Sequence, residues 1–382
     1  MPALFHRPQL AEKIAQVILT SGAISAASSG LFVSAPRRTG KSTFMREDLR
    51  PLLQSQRVLV LYADLWANKQ SDPGEVILAA VRQELMLHEG VIAKLARASG
   101  MDKVGVAGMT FSLDKVGLGK EITLSQALVA LSEETRKMLV LIVDEAQHAI
   151  TSENGANALF ALKAARDELN SSQHHGLRII ATGSNRDKLV MLRNSREQAF
   201  FGAPVMSLPC LDRHYIDWFC AHVDLAVQLD PQEVFSLFEK ASFRPEILAT
   251  AIDNVRMDLM LQDQDIPSRF AQEVNKEILL NRVGSLKIIH SLTPIQSAVF
   301  RVLAAAGDSY APFEASTMDR YNAALKRIDP KAKTDIEVSN VQQALTALQE
   351  KNLVWKASRG IYDLEDHAFK DLLEEEGMLT QM

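Results

Sequence analysis

Ala35-Pro36-Arg37-Arg38-Thr39-Gly40-Lys41-Ser42-Thr43 follows the short apolar run Leu31-Phe32-Val33-Ser34. The pattern matches G-x-x-x-x-G-K-[ST], a phosphate-binding loop set between a strand and a helix. The chemistry requires that order, because backbone N–H groups of the loop and the helix N-terminus converge on phosphate oxygens. Gly40 lets the backbone approach closely, Lys41 neutralises the β- and γ-phosphates, and the Ser42 hydroxyl ligates magnesium. Ala35, Pro36, Arg37, Arg38, Thr39, Gly40, Lys41, Ser42 and Thr43 are therefore the expected nucleotide-binding set. Ala35 stands where the pattern has its first glycine, and a residue this small leaves the loop able to form.

A second element supports the first. Leu139-Val140-Leu141-Ile142-Val143 is an apolar strand ending in Asp144-Glu145, the Walker B arrangement. Asp144 is expected to hold magnesium together with Ser42, and Glu145 to polarise the attacking water as general base. Without the upstream loop, two acids after a strand would read equally well as the cap of the next helix. Thr182-Gly183-Ser184-Asn185 ends the following strand. Ser184 and Asn185 are the candidates to orient water there, against the alternative of a turn that needs small residues. Ala241-Ser242-Phe243-Arg244-Pro245-Glu246 starts a later helix, from which Arg244 can reach a γ-phosphate; the plainer reading is a surface arginine beside a helix start. No guanine-specific Asn-Lys-x-Asp element is present, which favours ATP with magnesium.

Working outward, strands are expected at 30–34, 57–65, 138–146 and 177–182, with another near Val205–Leu208. The nearly unbroken apolar runs are those of strands buried on both faces. Helices alternate with them: one across 4–20 carrying Leu10, Ile14, Val17 and Ile18 at helical spacing, then 73–98, 124–137 and 155–171. This alternation predicts a parallel sheet covered on both faces. Residues 100–120 read as a small hairpin or a loop. After Pro209 the strands stop, and 212–282 read as four helices, a lid-like bundle. Helices beginning at Pro294 and covering 314–327 and 338–351, then two short strands around Arg359-Gly360, make a winged-helix pattern. The expected domains are thus 1–209, nucleotide-binding; 210–284, helical lid; and 285–382, winged helix.

Bulk properties agree. At 382 residues, 47% hydrophobic and 23% charged, the chain suits two or three globular domains. A net charge of -5 argues against a broad nucleic-acid surface, so any such contact must be local. Cys210 and Cys220 are neither a disulfide framework nor a zinc site, and both read as buried thiols. The N-terminus lacks signal-peptide character and no apolar run reaches the roughly 18 residues of a membrane span, so the cytoplasm is the expected location.

Together, APRRTGKST, VDEAQ, the Thr182-Gly183-Ser184 turn and the Phe243-Arg244-Pro245 lid start resemble the archaeal-ATPase type of STAND proteins, relatives of the AAA+ ATPases and of origin-recognition-type initiators. Phe5-His6-Arg7 before a helix also resembles their adenine-side element. The resemblance implies a P-loop NTPase fold of AAA+/STAND type with helical lid and winged helix, in which ATP binding works as a conformational switch. It gives Arg244 the part of the lid arginine called sensor 2, and Ser184 or Asn185 that of sensor 1. Gly202-Ala203 stands where related chains often carry Gly-Arg, so an arginine finger is missing there; Arg193 and Arg196 are the possible substitutes.

In the winged helix, Val341, Leu345 and Leu348 are expected to face the core, leaving Asn340, Gln342 and Gln343 to read bases. Lys351, Lys356 and Arg359 add little charge; the denser cluster is Arg320, Lys326, Arg327, Lys331 and Lys333. A solvated face of a protein-docking module is the alternative. Three functions follow. The leading one is an ATPase switch that assembles with itself or a partner protein. The second is a DNA-acting AAA+-like ATPase: a loader, transposition helper or initiator. The third, a small-molecule kinase, is opposed by the paired Asp144-Glu145 and by the lid and winged helix.

Overall fold

The computed structural model describes the chain except residues 1–3, 21–24, 69, 89, 91–110, 113–121, 172–173, 185, 195–197, 333–334, 359 and 380–382. It divides into two compact units, Met1–His222 and Val223–Met382.

The first unit is built on a five-stranded parallel sheet in the order β2-β5-β6-β1-β7. Its strands are β1 (Leu31–Ser34), β2 (Leu59–Asp64), β5 (Leu139–Asp144), β6 (Leu177–Gly183) and β7 (Val205–Ser207). A short pair, β3 (Phe111–Ser112) and β4 (Ile122–Thr123), lies apart from it. That pair is parallel, and Phe111–Ser112 is the only described part of the 100–120 region, for which a small hairpin or a loop is the expectation. The remainder of that region lies outside the described residues.

The sheet is buried on both faces because each central strand supplies two cores. Leu139, Leu141 and Val143 of β5 join one hydrophobic cluster, while Val140 and Ile142 join another. Phe32 of β1 faces the first cluster, and Leu31 and Val33 the second. This is the two-residue period of a strand with apolar residues at every position. One face is covered by α4 (Pro73–Leu85), α5 (Leu124–Thr135) and α6 (Glu153–Leu169). The other is covered by α1 (Pro8–Leu19) and the helix that follows the phosphate loop. That helix starts as α2 (Lys41–Thr43), passes through a π-helical stretch at Phe44–Leu49 and continues as α3 (Arg50–Ser55). In α1, Ile14 and Ile18 are buried as their spacing requires, but Val17 is 45% exposed.

After a short α7 (Arg186–Val190), α8 (Arg213–His222) ends the first unit rather than opening the second. Its Tyr215 and Trp218 meet Phe5 with ring centroids 5.5 and 5.7 Å apart. Cys220 on this helix is buried, whereas Cys210, in the segment after β7, is exposed, contrary to the expectation for it.

The second unit begins with α9 (Pro231–Lys240), α10 (Pro245–Met257) and the 25-residue α11 (Ile266–His290). Helix α11 runs without a break through the expected 284/285 boundary. Next come α12 (Pro294–Ala306), α13 (Ala315–Ile328) and α14 (Val338–Glu350), then an antiparallel pair β8 (Val354–Ser358) and β9 (Ile361–Leu364), and α15 (Ala368–Glu375). Val341, Leu345 and Leu348 are buried in the core of these elements. Thr293 and Gln296 form a capping box at the start of α12, with Pro294 in its first turn.

Candidate nucleotide site

Parallel register brings the motif residues to one edge of the sheet. Asp64 pairs with Asp144, Val33 with Thr182, and Ser34 with Gly183, so the loops after β1, β5 and β6 emerge side by side. In open parallel sheets this carboxyl edge is where ligands bind.

The phosphate loop takes its shape from two left-handed residues, Arg38 at φ 62° and Gly40 at φ 83°. A glycine adopts that conformation without steric cost. Helix α2 starts immediately afterwards at Lys41, and its first amides have no intrahelical acceptor. Ala35, in the place of the first glycine, is buried, and its N–H donates to the Gly183 carbonyl at 3.1 Å. Within the loop, the Thr39 hydroxyl donates to the Pro36 carbonyl at 2.7 Å. The loop therefore forms with alanine at position 35.

Lys41 is only 5% exposed. Its Nζ donates to Asp144 Oδ1 at 2.5 Å, to Glu145 Oε1 at 2.7 Å and to Thr182 Oγ1 at 3.0 Å. The Thr182 hydroxyl also donates to Asp144 Oδ1, and the Tyr62 hydroxyl donates to Asp144 Oδ2 at 2.7 Å. Burial alone would raise the carboxyl pKa of both acids. The Lys41 ammonium beside them outweighs it and holds both below the ordinary carboxylate range. Burial, together with the Asp144 charge, raises the Tyr62 phenol, which keeps it a hydrogen-bond donor.

Glu145 has a left-handed backbone, φ 55°, uncommon for a residue with a side chain. Its Oε2 accepts from Gln147 Nε2 at 2.7 Å, from Ser184 Oγ at 3.0 Å and from the Ser184 N–H at 3.3 Å. Gln147 is buried, and a Cβ on Gly183 would run into its Oε1 and into Leu189. Position 183 is thus glycine because the side chains beside Glu145 fill its space. Ser184 Oγ in turn accepts from Arg37 Nε at 3.4 Å. The Arg37 guanidinium lies 5.0 Å from the centroid of the Trp66 ring, and that ring lies 4.4 Å from His148.

The structure therefore brings together Lys41, Asp144, Glu145, Ser184 and the loop Ala35–Thr43, with Ser42 half-buried at the start of α2. Asn185 and Arg196 lie outside the described residues. Arg193 follows α7, where its carbonyl accepts from the Gly202 N–H at 3.3 Å. Arg244 belongs to the second unit, where it donates to Glu246 Oε1 at 2.7 Å and to Asn281 Oδ1 at 3.4 Å. It follows Ser242 and Phe243, two consecutive non-glycine residues at φ 54° and 56°. Near the loop, Arg7 stacks on Phe44 at 4.8 Å and donates to the Pro209 carbonyl at 3.0 Å, while His6 bonds Asp48 at 2.7 Å.

Sequence reasoning missed Tyr62, Gln147, Trp66 and His148. Only Gln147, two residues beyond the acid, carried a local signal. The others reach the site through strand register and loop packing.

The residue set fits a nucleoside triphosphate: a cation at the loop, a buried acid beside it, and a second acid that shares the cation through one oxygen and is held by neutral donors at the other.

The chain is similar to the Aeropyrum pernix ORC2 protein. Against its ADP form the identity is 15% over 100% of this chain and 96% of that one, with a TM-score of 0.55. ORC2 in its ADPNP–ADP complexes gives 16% identity over 99% and 95%, with a TM-score of 0.48. The Aeropyrum pernix ORC1 protein in complex with DNA gives 15% over 100% and 95%, with a TM-score of 0.46. No family model matches the chain, and no curated protein matches it. The likeness to ORC2 shows the fold: a parallel sheet with a phosphate loop between its first strand and the following helix, then a helical C-terminal part. Among the described residues, no helix is long and apolar enough to cross a membrane.

Proposed function

We propose that this protein binds ATP with magnesium at the loop Ala35–Thr43, hydrolyses it, and uses the cycle to act on DNA. The observation that carries the nucleotide reading is the contact of Lys41 with both acids at the end of β5, at 2.5 and 2.7 Å. In this reading Ser42 and Asp144 hold the magnesium, which neutralises phosphate charge, and Lys41 draws in the phosphates. Glu145 takes the proton of the attacking water, and Ser184 keeps that carboxylate oriented. Arg244 serves from the second unit as a nucleotide-sensing residue.

DNA is preferred over a STAND-type switch because the fold likeness to ORC2 runs the length of the chain, through the C-terminal unit. There we read α12, α13, α14 and the β8–β9 pair as a winged helix. Lys326, Arg327 and Lys331 are exposed on α13 and the loop after it, and Gln342 and Gln343 are exposed on α14. Asn340 is otherwise engaged, since its Oδ1 accepts from the Glu337 N–H at 3.0 Å in the helix cap. Lys333 and Arg359 lie outside the described residues. Partners on this reading are duplex DNA and further copies of the chain.

A switch that assembles with a partner protein is the second reading. It is favoured by the left-handed pair Ser242–Phe243 directly before Arg244, since strained backbone gathers at moving parts.

The deciding experiment is particle mass by light scattering for the Glu145→Gln protein, with and without Mg-ATP and with duplex DNA added. Mass growth that needs both ATP and DNA is expected. Growth with ATP alone would favour the switch, and retained micromolar ATP affinity in Lys41→Ala would remove the site assignment.

A further inference from the structure

We infer that Arg37, carried on the phosphate loop itself, is the arginine that neutralises charge developing on the γ-phosphoryl group during hydrolysis. In other phosphate-loop enzymes that cation comes from a partner molecule or a later segment of the chain. The inference rests on the reading of Glu145 as general base of an ATPase.

Position is the first argument. Arg37 Nε donates to Ser184 Oγ, which donates to Glu145 Oε2, at 3.4 and 3.0 Å. One hydroxyl thus links the loop's guanidinium to the carboxylate that receives the water's proton. Arg37 points across the loop toward β5 and β6, where hydrolysis takes place on that reading.

Preorganisation is the second. An arginine loses substantial rotamer freedom when it is fixed. Here the guanidinium is stacked 5.0 Å over Trp66, and Trp66 is braced at 4.4 Å by His148, three residues beyond the base. A cation already in place when charge appears needs no reorganisation at the moment of reaction.

Elimination is the third. Arg38, the next residue, is exposed whereas Arg37 is half-buried, and Arg46, beyond the loop, is committed to Asp64 at 2.7 Å and to the Tyr62 ring at 4.9 Å.

In the step itself, the water oxygen bonds to the γ-phosphorus and its proton passes to Glu145. The bond from that phosphorus to the bridging oxygen breaks, and the electron pair leaves on the β-phosphate of ADP. Negative charge is spread over the equatorial oxygens of the γ-phosphoryl group as the bridging oxygen departs with ADP, and a planar fork of N–H donors is suited to neutralise it there.

The test uses the full chain as wild type, Arg37→Ala, Arg37→Lys and Trp66→Leu, with Mg-ATP affinity and steady-state kcat measured separately. For Arg37→Ala we expect kcat to fall about 100-fold or more. Its ATP affinity should stay within about five-fold, because the cation acts on the transition state. Millimolar guanidinium should restore part of the lost rate in Arg37→Ala and none in Glu145→Gln. Lysine should restore only part, and Trp66→Leu should lower kcat without changing affinity. Wild-type kcat in Arg37→Ala, or a loss confined to ATP affinity, overturns the inference. A wild-type protein that binds ATP without hydrolysing it also overturns it, while leaving the nucleotide site standing. A wild-type protein that binds no ATP overturns both.

Discussion

The Tyr62 hydroxyl donates to Asp144 Oδ2 at 2.7 Å, so the buried acid at the end of β5 is held from both sides, by Lys41 on one oxygen and by a neighbouring strand on the other. Asp144 is 1% exposed, and a buried carboxylate is tolerated only when it is paired and hydrogen-bonded. Tyr62→Phe removes one of those bonds without changing shape. The expected loss is about 1.5–3 kcal/mol, the usual worth of a hydrogen bond to a charged group. Denaturant unfolding followed by tryptophan emission measures it, and a change within experimental error would mean that water takes the place of the phenol.

Lys41→Ala should damage the protein in two separable ways. ATP binding should disappear, because the loop loses its phosphate cation. The nucleotide-free protein should also lose about 3–5 kcal/mol, the typical cost of leaving a buried charge without its partner. Adding Asp144→Asn should return part of that stability and none of the binding. The two single variants and the double variant form a cycle that isolates the pair. Strict additivity would show that the 2.5 Å contact contributes nothing to folding.

Acid should expose the same pair. Asp144 and Glu145 have folded pKa values below their unfolded ones. As pH falls through the ordinary carboxylate range the unfolded chain binds protons first, and stability declines. The contribution is complete above about pH 5 and disappears as pH falls through the depressed folded values. Asp144→Asn should flatten the thermal midpoint against pH in the acid range. An equally steep profile in that variant would assign acid sensitivity to other groups.

Charge reversal at Lys326 and Arg327 tests the DNA reading. Both side chains are exposed, so the double change to Glu should leave folding intact. Duplex affinity should fall about ten-fold or more, with a shallower dependence on salt as fewer counterions are released. Fluorescence anisotropy at two salt concentrations reads both quantities. Unchanged affinity would move any DNA contact away from α13.

Much of this was legible in the sequence, for physical reasons. Leu139–Asp144 reads as a buried strand because every residue before the acid is apolar and the run is short, the pattern of a strand covered on both faces. The phosphate loop reads directly because its chemistry is local, with glycine, lysine and serine acting within one turn. What could not be read depends on distant register. Tyr62 is 82 residues from Asp144 in the chain, and only the pairing of β2 with β5 brings them together. Arg37 reads as one more basic loop residue until Trp66 and Ser184 are placed around it. Asn340 reads as a base-reading side chain until its cap hydrogen bond is seen. Helix Arg213–His222 carries no strand pattern, so its composition groups it with the later helices, although Tyr215 and Trp218 pack on Phe5.

Helix α11 has a mechanical consequence. Its 25 residues span about 38 Å at 1.5 Å per residue. Phe270 and Val274 are buried near its start, and Ile289 near its end is buried in the core shared by α12, α13 and α14. Arg282 on the same rod is clamped to Glu375 and Glu376 at 2.6 and 2.7 Å. Asn281, one residue earlier, accepts from Arg244 at 3.4 Å. The rod thus joins the helices packed on its first half to the core of α12, α13 and α14, with Arg244 hydrogen-bonded just past its middle. A tilt of about 10° about its first turn would sweep the far end through about 6 Å, a large stroke from a small rotation.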